Sequence, residues 1–284
     1  MKFGTVIVLF NPDEEAIDNI NNLIKRGFFF VLVDNSPTSN EVVFKSTSYI
    51  FNKNKGGIAG AINLGVDYLL ATGCDFIFTF DQDSIIPNDF YSSMYCLIKN
   101  KHADLVCPNF YDVNSKTYAT FVHITKFSYH VIAHAEYTNF AISSGMGFSK
   151  KAWENIGRCN EDYIIDHVDT DFCMRALDKD YKIYVNYDIC LKHAIGKRTT
   201  HNFLGVTIKP NHHNYIRKYY IVRNGTHLAF KYFLEYPSYF YLNILRVAHE
   251  FVCVLFYEKN KIKKTLSMLK GLCHSMYGKL GSYV

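Results

Sequence analysis

The sequence predicts an α/β protein, with a mostly parallel sheet and flanking helices over residues 1–209 and a helical region over 210–284. Three observations predict it. Short apolar runs, Thr5 to Phe10, Phe28 to Val33 and Phe76 to Phe80, alternate with helical patterns, as repeated strand–helix–strand units require. Each run ends in polar residues, which in an open parallel sheet fall at the crevice outside the carboxyl ends of the strands. After about Pro210 strand signals stop, and Tyr215 to Lys270 reads as helical, aromatic and basic.

The 284 residues suit one large domain, alone or with an appendage. Net charge is +5 with a late basic cluster, which fits nucleic acid, an anionic membrane or a phosphorylated substrate equally well. Eight cysteines without Cys-x-x-Cys spacing point to a reducing compartment. Met1-Lys2-Phe3-Gly4-Thr5 runs straight into a strand-like segment too short for a signal-peptide core, so a cytoplasmic location is expected. Tyr239 to Tyr257 is broken by Asn243, Arg246, His249 and Glu250, short of the roughly 20 apolar residues a membrane span needs.

In chain order, Asn11-Pro12-Asp13-Glu14-Glu15 is a helix start, with proline early and acids in the first turn. Asp34, at the end of Val31-Leu32-Val33, either contacts a base or ribose or closes an Asx turn. The segment Asn52 to Gly65 is a glycine-rich turn opening into a helix of small residues. Its helix N-terminus favours an anion such as a diphosphate, although its spacing is neither a P-loop nor a dinucleotide fingerprint. Asp81-Gln82-Asp83 sets two carboxylates one residue apart at the end of a buried strand. Clustered carboxylates repel unless a cation lies between them, and hard oxygens suit magnesium or manganese; two capping acids are the plainer alternative.

Lys116 to Phe148 reads as added strands beneath an acceptor-facing surface, and Asp166 to Asp180 as a helix on which Asp166 and Asp169 share a face. A carboxylate left unpaired there would serve as a general base for an acceptor hydroxyl, although helix-start acids are the alternative. Lys182 to Val185 and Ile189 to Leu191 read as short strands, the second followed by His193, a candidate metal ligand. His130 and His134 have zinc-hydrolase spacing, but Val131 stands where that motif needs glutamate.

Taken in this order, the segments Val33-Asp34-Asn35-Ser36, Asn54 to Gly65, Phe80-Asp81-Gln82-Asp83-Ser84, Ile142-Ser143-Ser144-Gly145, Ile165 to Arg175 and His193-Ala194-Ile195-Gly196 resemble an inverting family 2 glycosyltransferase with the GT-A fold. The Asp-Gln-Asp-Ser motif and the Ile-Asp-His-Val-Asp-Thr-Asp segment are most similar to bacterial rhamnosyltransferases. The resemblance spans nearly the whole chain and implies roles for these residues. Phe10, Asn11, Asp34, Asn54, Gly57, Asp81 and Gln82 would bind the nucleotide sugar, and Asp81, Asp83 and His193 would hold Mg2+ or Mn2+. Asp169 is the implied base, with Asp166 the other candidate because Val168 replaces the family's usual glutamate. Ser144, Gly145 and His167 would line the sugar or acceptor pocket.

The partners implied are dTDP-rhamnose as donor and a saccharide acceptor on a lipid carrier, for surface polysaccharide such as O-antigen or capsule, with no nucleic acid. The helical C-terminal region fits either peripheral membrane contact at the inner face or packing against the catalytic domain or a second subunit. Two alternatives stay open at this stage: transfer of another sugar, such as galactofuranose or a hexose from a UDP donor, and a non-catalytic nucleotide-sugar-binding protein. A nucleotidyltransferase is disfavoured, because Asn11-Pro12-Asp13-Glu14 is acidic where a basic triphosphate loop would be needed.

Overall fold

The computed structural model describes residues 1–44, 48–113, 116–193, 199–203 and 205–283. The first half runs β1 (Phe3–Leu9), α1 (Glu14–Lys25), β2 (Phe30–Asp34), β3 (Ser48–Phe51), α2 (Gly57–Ala71), β4 (Phe76–Asp81), α3 (Phe90–Lys101) and β5 (Leu105–Asp112). Short strands follow: β6 (Thr117–Tyr118), β7 (Phe121–Ile124), β8 (Tyr129–Ile132), β9 (Tyr137–Thr138) and β10 (Gly147–Ser149). Then come α4 (Lys150–Ile156), α5 (Val168–Asp178), β11 (Ile183–His193), β12 (His201–Phe203) and β13 (Val206–Ile208). The chain continues through α6 (Tyr215–Lys231), α7 (Pro237–Val252) and α8 (Lys261–Met276).

Among the described residues, nine strands form one sheet in the order β3-β2-β1-β4-β10-β5-β11-β9, with β6 on β5. β1 pairs in parallel with β2 and β4, and β5 with β11, while β10 runs antiparallel between β4 and β5. The two short strands expected late in the chain are one strand, β11, broken by a bulge between Asn186 and Cys190.

β2 is buried along its whole length, as strands covered on both faces must be. Successive side chains of β1 enter opposite cores. Val6 and Val8 join Val31, Val33 and Leu69 under α2, while Ile7 and Leu9 join Phe78, Phe80 and Phe90 under α3. α2 lies close on the sheet because it has Gly65 at the crossing, where a Cβ would come within 2.5 Å of Val6 Cγ1.

Register then fixes the site. Leu9 pairs with Asp34 and Val8 with Asp81, so the polar segments after β1, β2 and β4 emerge at one edge. Hydrogen bonds tie that edge together, Phe10 N to Gln82 Oε1 at 2.8 Å and Asn11 N to Ser36 Oγ at 2.7 Å.

The helices after residue 210 are joined by buried charge. Lys218 on α6 is fully buried and donates to Glu250 on α7 at 2.5 Å and to Glu258 at 2.7 Å, and Lys264 on α8 reaches Glu258 at 2.6 Å. Such a network needs every member, because removing one leaves an uncompensated buried charge. α6 also grips the sheet domain. The fully buried Arg223 donates to Asp162 O at 3.0 Å, and Asn224 Nδ2 donates to the carbonyls of Tyr163, Ile165 and Asp166, each at 2.9 Å. All eight cysteines are free thiols.

Candidate active site

A cleft of about 540 Å³ opens at the sheet edge, lined on one wall by Asp81, Gln82 and Asp83 and on the other by Ile165, Asp166, His167, Val168 and Asp169. Asp13, Ala16, Ile58, Ile142, Ser143, His213 and Arg217 complete it.

The first wall comes from regular structure. Asp81 is the last residue of β4, and the turn after it presents Gln82 and an exposed Asp83. Gln82 is held by two amide contacts to the main chain of Phe10, 2.8 Å to its N–H and 3.3 Å to its carbonyl.

The second wall comes from an irregular loop. Asp166 and His167 have φ of 61° and 62° and α5 begins only at Val168, so Asp166 and Asp169 do not share a helical face as the spacing predicts. With this left-handed pair ahead of α5, both Asp166 and Asp169 line the cleft. The pair persists because Asn224 satisfies the carbonyls on either side and Ile58 N bonds Ile164 O at 2.7 Å.

Asp166 and Asp169 differ in what they touch. Arg217 clamps Asp166, with Nε 3.2 Å from both carboxylate oxygens and Nη2 3.2 Å from Oδ1. Burial pushes the Asp166 carboxyl above its ordinary value, against the pull of that guanidinium. Asp169 accepts from its neighbour Thr170, at 2.7 Å from N and 3.3 Å from Oγ1, and burial again pushes the carboxyl up against those bonds. A raised carboxylate without a cation clamped on it is the better proton acceptor.

His167 is pushed down to about 3 by burial and by the positive field of Arg246, so it is neutral at physiological pH, and its Nδ1 is buried without a hydrogen-bond partner. His213 is likewise pushed down to about 3, by burial and by Arg217 and Lys218.

Other residues singled out from the sequence lie off the cleft lining. Asp34 is fully buried and accepts from Ser36 N at 2.8 Å, Asn40 N at 3.1 Å, Asn40 Nδ2 at 2.9 Å and the Tyr49 hydroxyl. Burial alone would raise its carboxyl, but these donors hold it below its ordinary value. The Asx turn is therefore formed, and a ligand would reach this carboxylate only by displacing one of its donors.

Phe10 and Asn11 are exposed beside the cleft, and Asn54 is exposed in the glycine-rich turn. Gly57 (φ +62) approaches protein rather than ligand: a Cβ there would lie 2.1 Å from Ile164 O. An acid of the chain itself, Glu161, lies beside the start of α2, its Oε2 2.6 Å from where a Cβ on Gly56 would be and its Oε1 accepting from Asn63 Nδ2 at 2.9 Å. Glu161 therefore sits close against the turn that opens α2.

Ser144 bonds Ser84 behind the wall at 2.7 Å, and Gly145 packs on Leu191 and Pro108. His193 pairs through its backbone with Asp112; its side chain and residues 194–196 lie outside the described residues.

Among the described residues no three His, Cys, Asp or Glu side chains form a ready metal cage. Asp81 and Asp83 instead offer two hard-oxygen donors at an open cleft, a donor set that fits Mg2+ or Mn2+, which keep waters and take substrate phosphate oxygens.

Reading the sequence missed Arg217, His213 and Asn224. The signal available was the polar run Asn211-His212-His213-Asn214 ahead of α6, where Asn214 caps the helix and Arg217 lies one turn in.

Comparison with known proteins bears on the family and the fold. Residues 6–157 match the glycosyl transferase family 2 profile. The chain is 32% identical over 234 residues to "dTDP-rhamnosyl transferase RfbF" of Shigella flexneri, covering 78% of this chain and 77% of that protein. It is 23% identical over 133 residues to "Glycosyltransferase GlyG" of Streptococcus pneumoniae, covering 43% of each. In fold it is similar to S. aureus TarS 1-349 in complex with UDP-GlcNAc, with TM-score 0.60, 17% identity, and 97% of this chain and 81% of that one covered. The sheet, its flanking helices and the matched profile together make the chain a GT-A glycosyltransferase that belongs to glycosyl transferase family 2.

Proposed function

We propose that the protein transfers L-rhamnose from dTDP-β-L-rhamnose to a hydroxyl of a saccharide acceptor, with inversion at C1. The observation that carries the sugar assignment is the 32% identity to a dTDP-rhamnosyl transferase across most of both chains.

The chain's own residues divide the work. Asp169 accepts the acceptor's hydroxyl proton as that oxygen forms its bond to C1, and the bond from C1 to the departing diphosphate breaks on the opposite face. Asp166, clamped by Arg217, holds the loop and the guanidinium in place, and the guanidinium in turn adds positive charge to the cleft. His167 and His213, both neutral, offer hydrogen bonds to sugar hydroxyls without adding charge. Asp81 and Asp83 would hold Mg2+ or Mn2+, which when bound offsets the charge developing on the leaving diphosphate. Holding donor and acceptor in line between the two walls supplies much of the rate. The acceptor class we propose is a lipid-linked saccharide of bacterial surface polysaccharide.

A donor screen in manganese tests this reading. Nucleoside diphosphate release, or protection from thermal unfolding, is followed with dTDP-rhamnose, UDP-glucose, UDP-galactose and UDP-galactofuranose. A metal-dependent response to dTDP-rhamnose alone is expected. A response confined to a UDP-sugar would keep the fold and overturn the sugar.

A further inference from the structure

α7 and the π-helical turn Cys253–Tyr257 form one apolar helix, Pro237–Tyr257, of mean hydropathy 1.3 with only 22% of its most apolar stretch buried. Its inner face is fixed to the protein. Tyr239, Asn243, Cys253 and Val254 are buried, and Glu250 bonds the buried Lys218 of α6. By length and composition this helix is apolar enough to cross a bilayer, contrary to the reading of its sequence, but its contacts at both ends and in the middle hold it along the domain. Its outer face leaves Leu245, Leu255 and Phe256 exposed. α8 packs on the same π-helical turn and presents Ile262, Leu266 and Leu269, 79%, 61% and 45% exposed, at the spacing of one helix face.

Charge says what covers this face. Eleven of the 31 Lys and Arg but only three of the 26 Asp and Glu fall after residue 209, a net +8 there against −3 before it. Two of those three acids, Glu250 and Glu258, are held in ion pairs with Lys218 and Lys264 between the helices. The exposed charges beside the apolar residues, Arg246, Lys259, Lys261 and Lys263, are all basic.

We propose that the outer face of α7 and α8 docks on an anionic lipid surface, its apolar side chains entering the headgroup boundary and its basic side chains meeting lipid phosphates. A second copy fits this face less well, because two such surfaces would bring like charge together. Docking sets the catalytic cleft beside the lipid: Arg246 is close enough to the cleft wall for its charge to act on both His167 and Asp169. The proposal does not rest on which sugar is transferred, and its test needs no donor.

The full chain is sedimented with vesicles of phosphatidylcholine alone or with about 30% phosphatidylglycerol, an anionic content in the range where basic segments respond to surface potential. Binding to the anionic vesicles alone is expected, weakening as salt rises. Two double variants, Ile262→Ser with Leu266→Ser and Lys259→Glu with Lys261→Glu, should each weaken it about tenfold. None of the four residues lines the cleft and all four are exposed, so the melting temperature without vesicles should stay at the parental value and report an intact fold. The proposal is overturned by equal recovery in the supernatant with both vesicles, or by undiminished binding of both variants. It is also overturned by a two-copy mass in sedimentation velocity that the Ile262→Ser, Leu266→Ser variant abolishes.

Discussion

The two walls of the cleft are built in different ways. Asp81, Gln82 and Asp83 are carried by β4, whose position follows from its pairing with β1, and a short polar turn does the rest. The opposite wall, Ile165 to Asp169, has no regular structure before α5 and is held by contacts from far along the chain: Ile58 on α2, and Arg217 and Asn224 on α6. One wall is set by a strand ending, the other by satisfied carbonyls and a half-buried ion pair. Perturbing the first wall should therefore remove chemistry without harming the fold, whereas perturbing the supports of the second should cost both.

The largest effect expected on this contrast is at the first wall. Asp83 is exposed, so Asp83→Ala should leave the melting temperature unchanged while metal-stimulated turnover falls about a hundredfold or more. Full activity in manganese would remove Asp83 from the metal's ligands.

At the second wall, Asn224→Ala strips one shared donor from three carbonyls. A loss of roughly 2–3 kcal/mol in denaturant unfolding is expected, since buried acceptors left unmade each cost on that order and partial relaxation is open to them. Turnover should fall as well, while protection by donor is retained. An unchanged rate in a destabilised protein would show that the loop holds its shape without α6.

Glu258→Gln tests the same supports further from the cleft and should cost about 3 kcal/mol or more, as expected for breaking a buried charge network. Burial alone would raise the Glu258 carboxyl, but Lys218 and Lys264 hold it below its ordinary 4.5. A carboxyl lowered on folding stabilises the protein above its unfolded value and loses that contribution as pH falls through the folded value. Stability of the parent should therefore drop on acidification below about 4.5, and that drop should be smaller in Glu258→Gln, as followed by thermal melts across pH.

The smallest effect is expected at Gln82, whose side chain is only half-buried where it ties Phe10 to the strand end. Gln82→Ala should cost no more than about 1 kcal/mol.

How much of this was legible in the sequence follows the same division. The runs that became β1, β2 and β4, and the carboxylates closing β4, are local patterns with a period of two or less, and a single chain displays them. The glycines of α2 were equally visible, but their purpose was not. They suit either a ligand phosphate or a close protein backbone, and Ile164 and Glu161, which pack against them, lie about 100 residues downstream. Asp166 and His167 look helical by composition, and their left-handed geometry depends on Asn224 in a helix that reads as an appendage. Spacing along the chain could not reveal which of Asp166 and Asp169 is clamped, because the clamp, Arg217, is 51 positions away.

The central claim is that Asp169, placed by that second wall, removes the acceptor proton during rhamnosyl transfer. The most direct test compares the parent with Asp169→Asn, measuring donor protection from thermal unfolding and transfer from dTDP-rhamnose in the same preparation. Equal protection with transfer slowed by about a thousandfold is predicted, within the range a positioned general base contributes. Transfer at the parental rate by Asp169→Asn would contradict the claim and move the base to another group in the cleft.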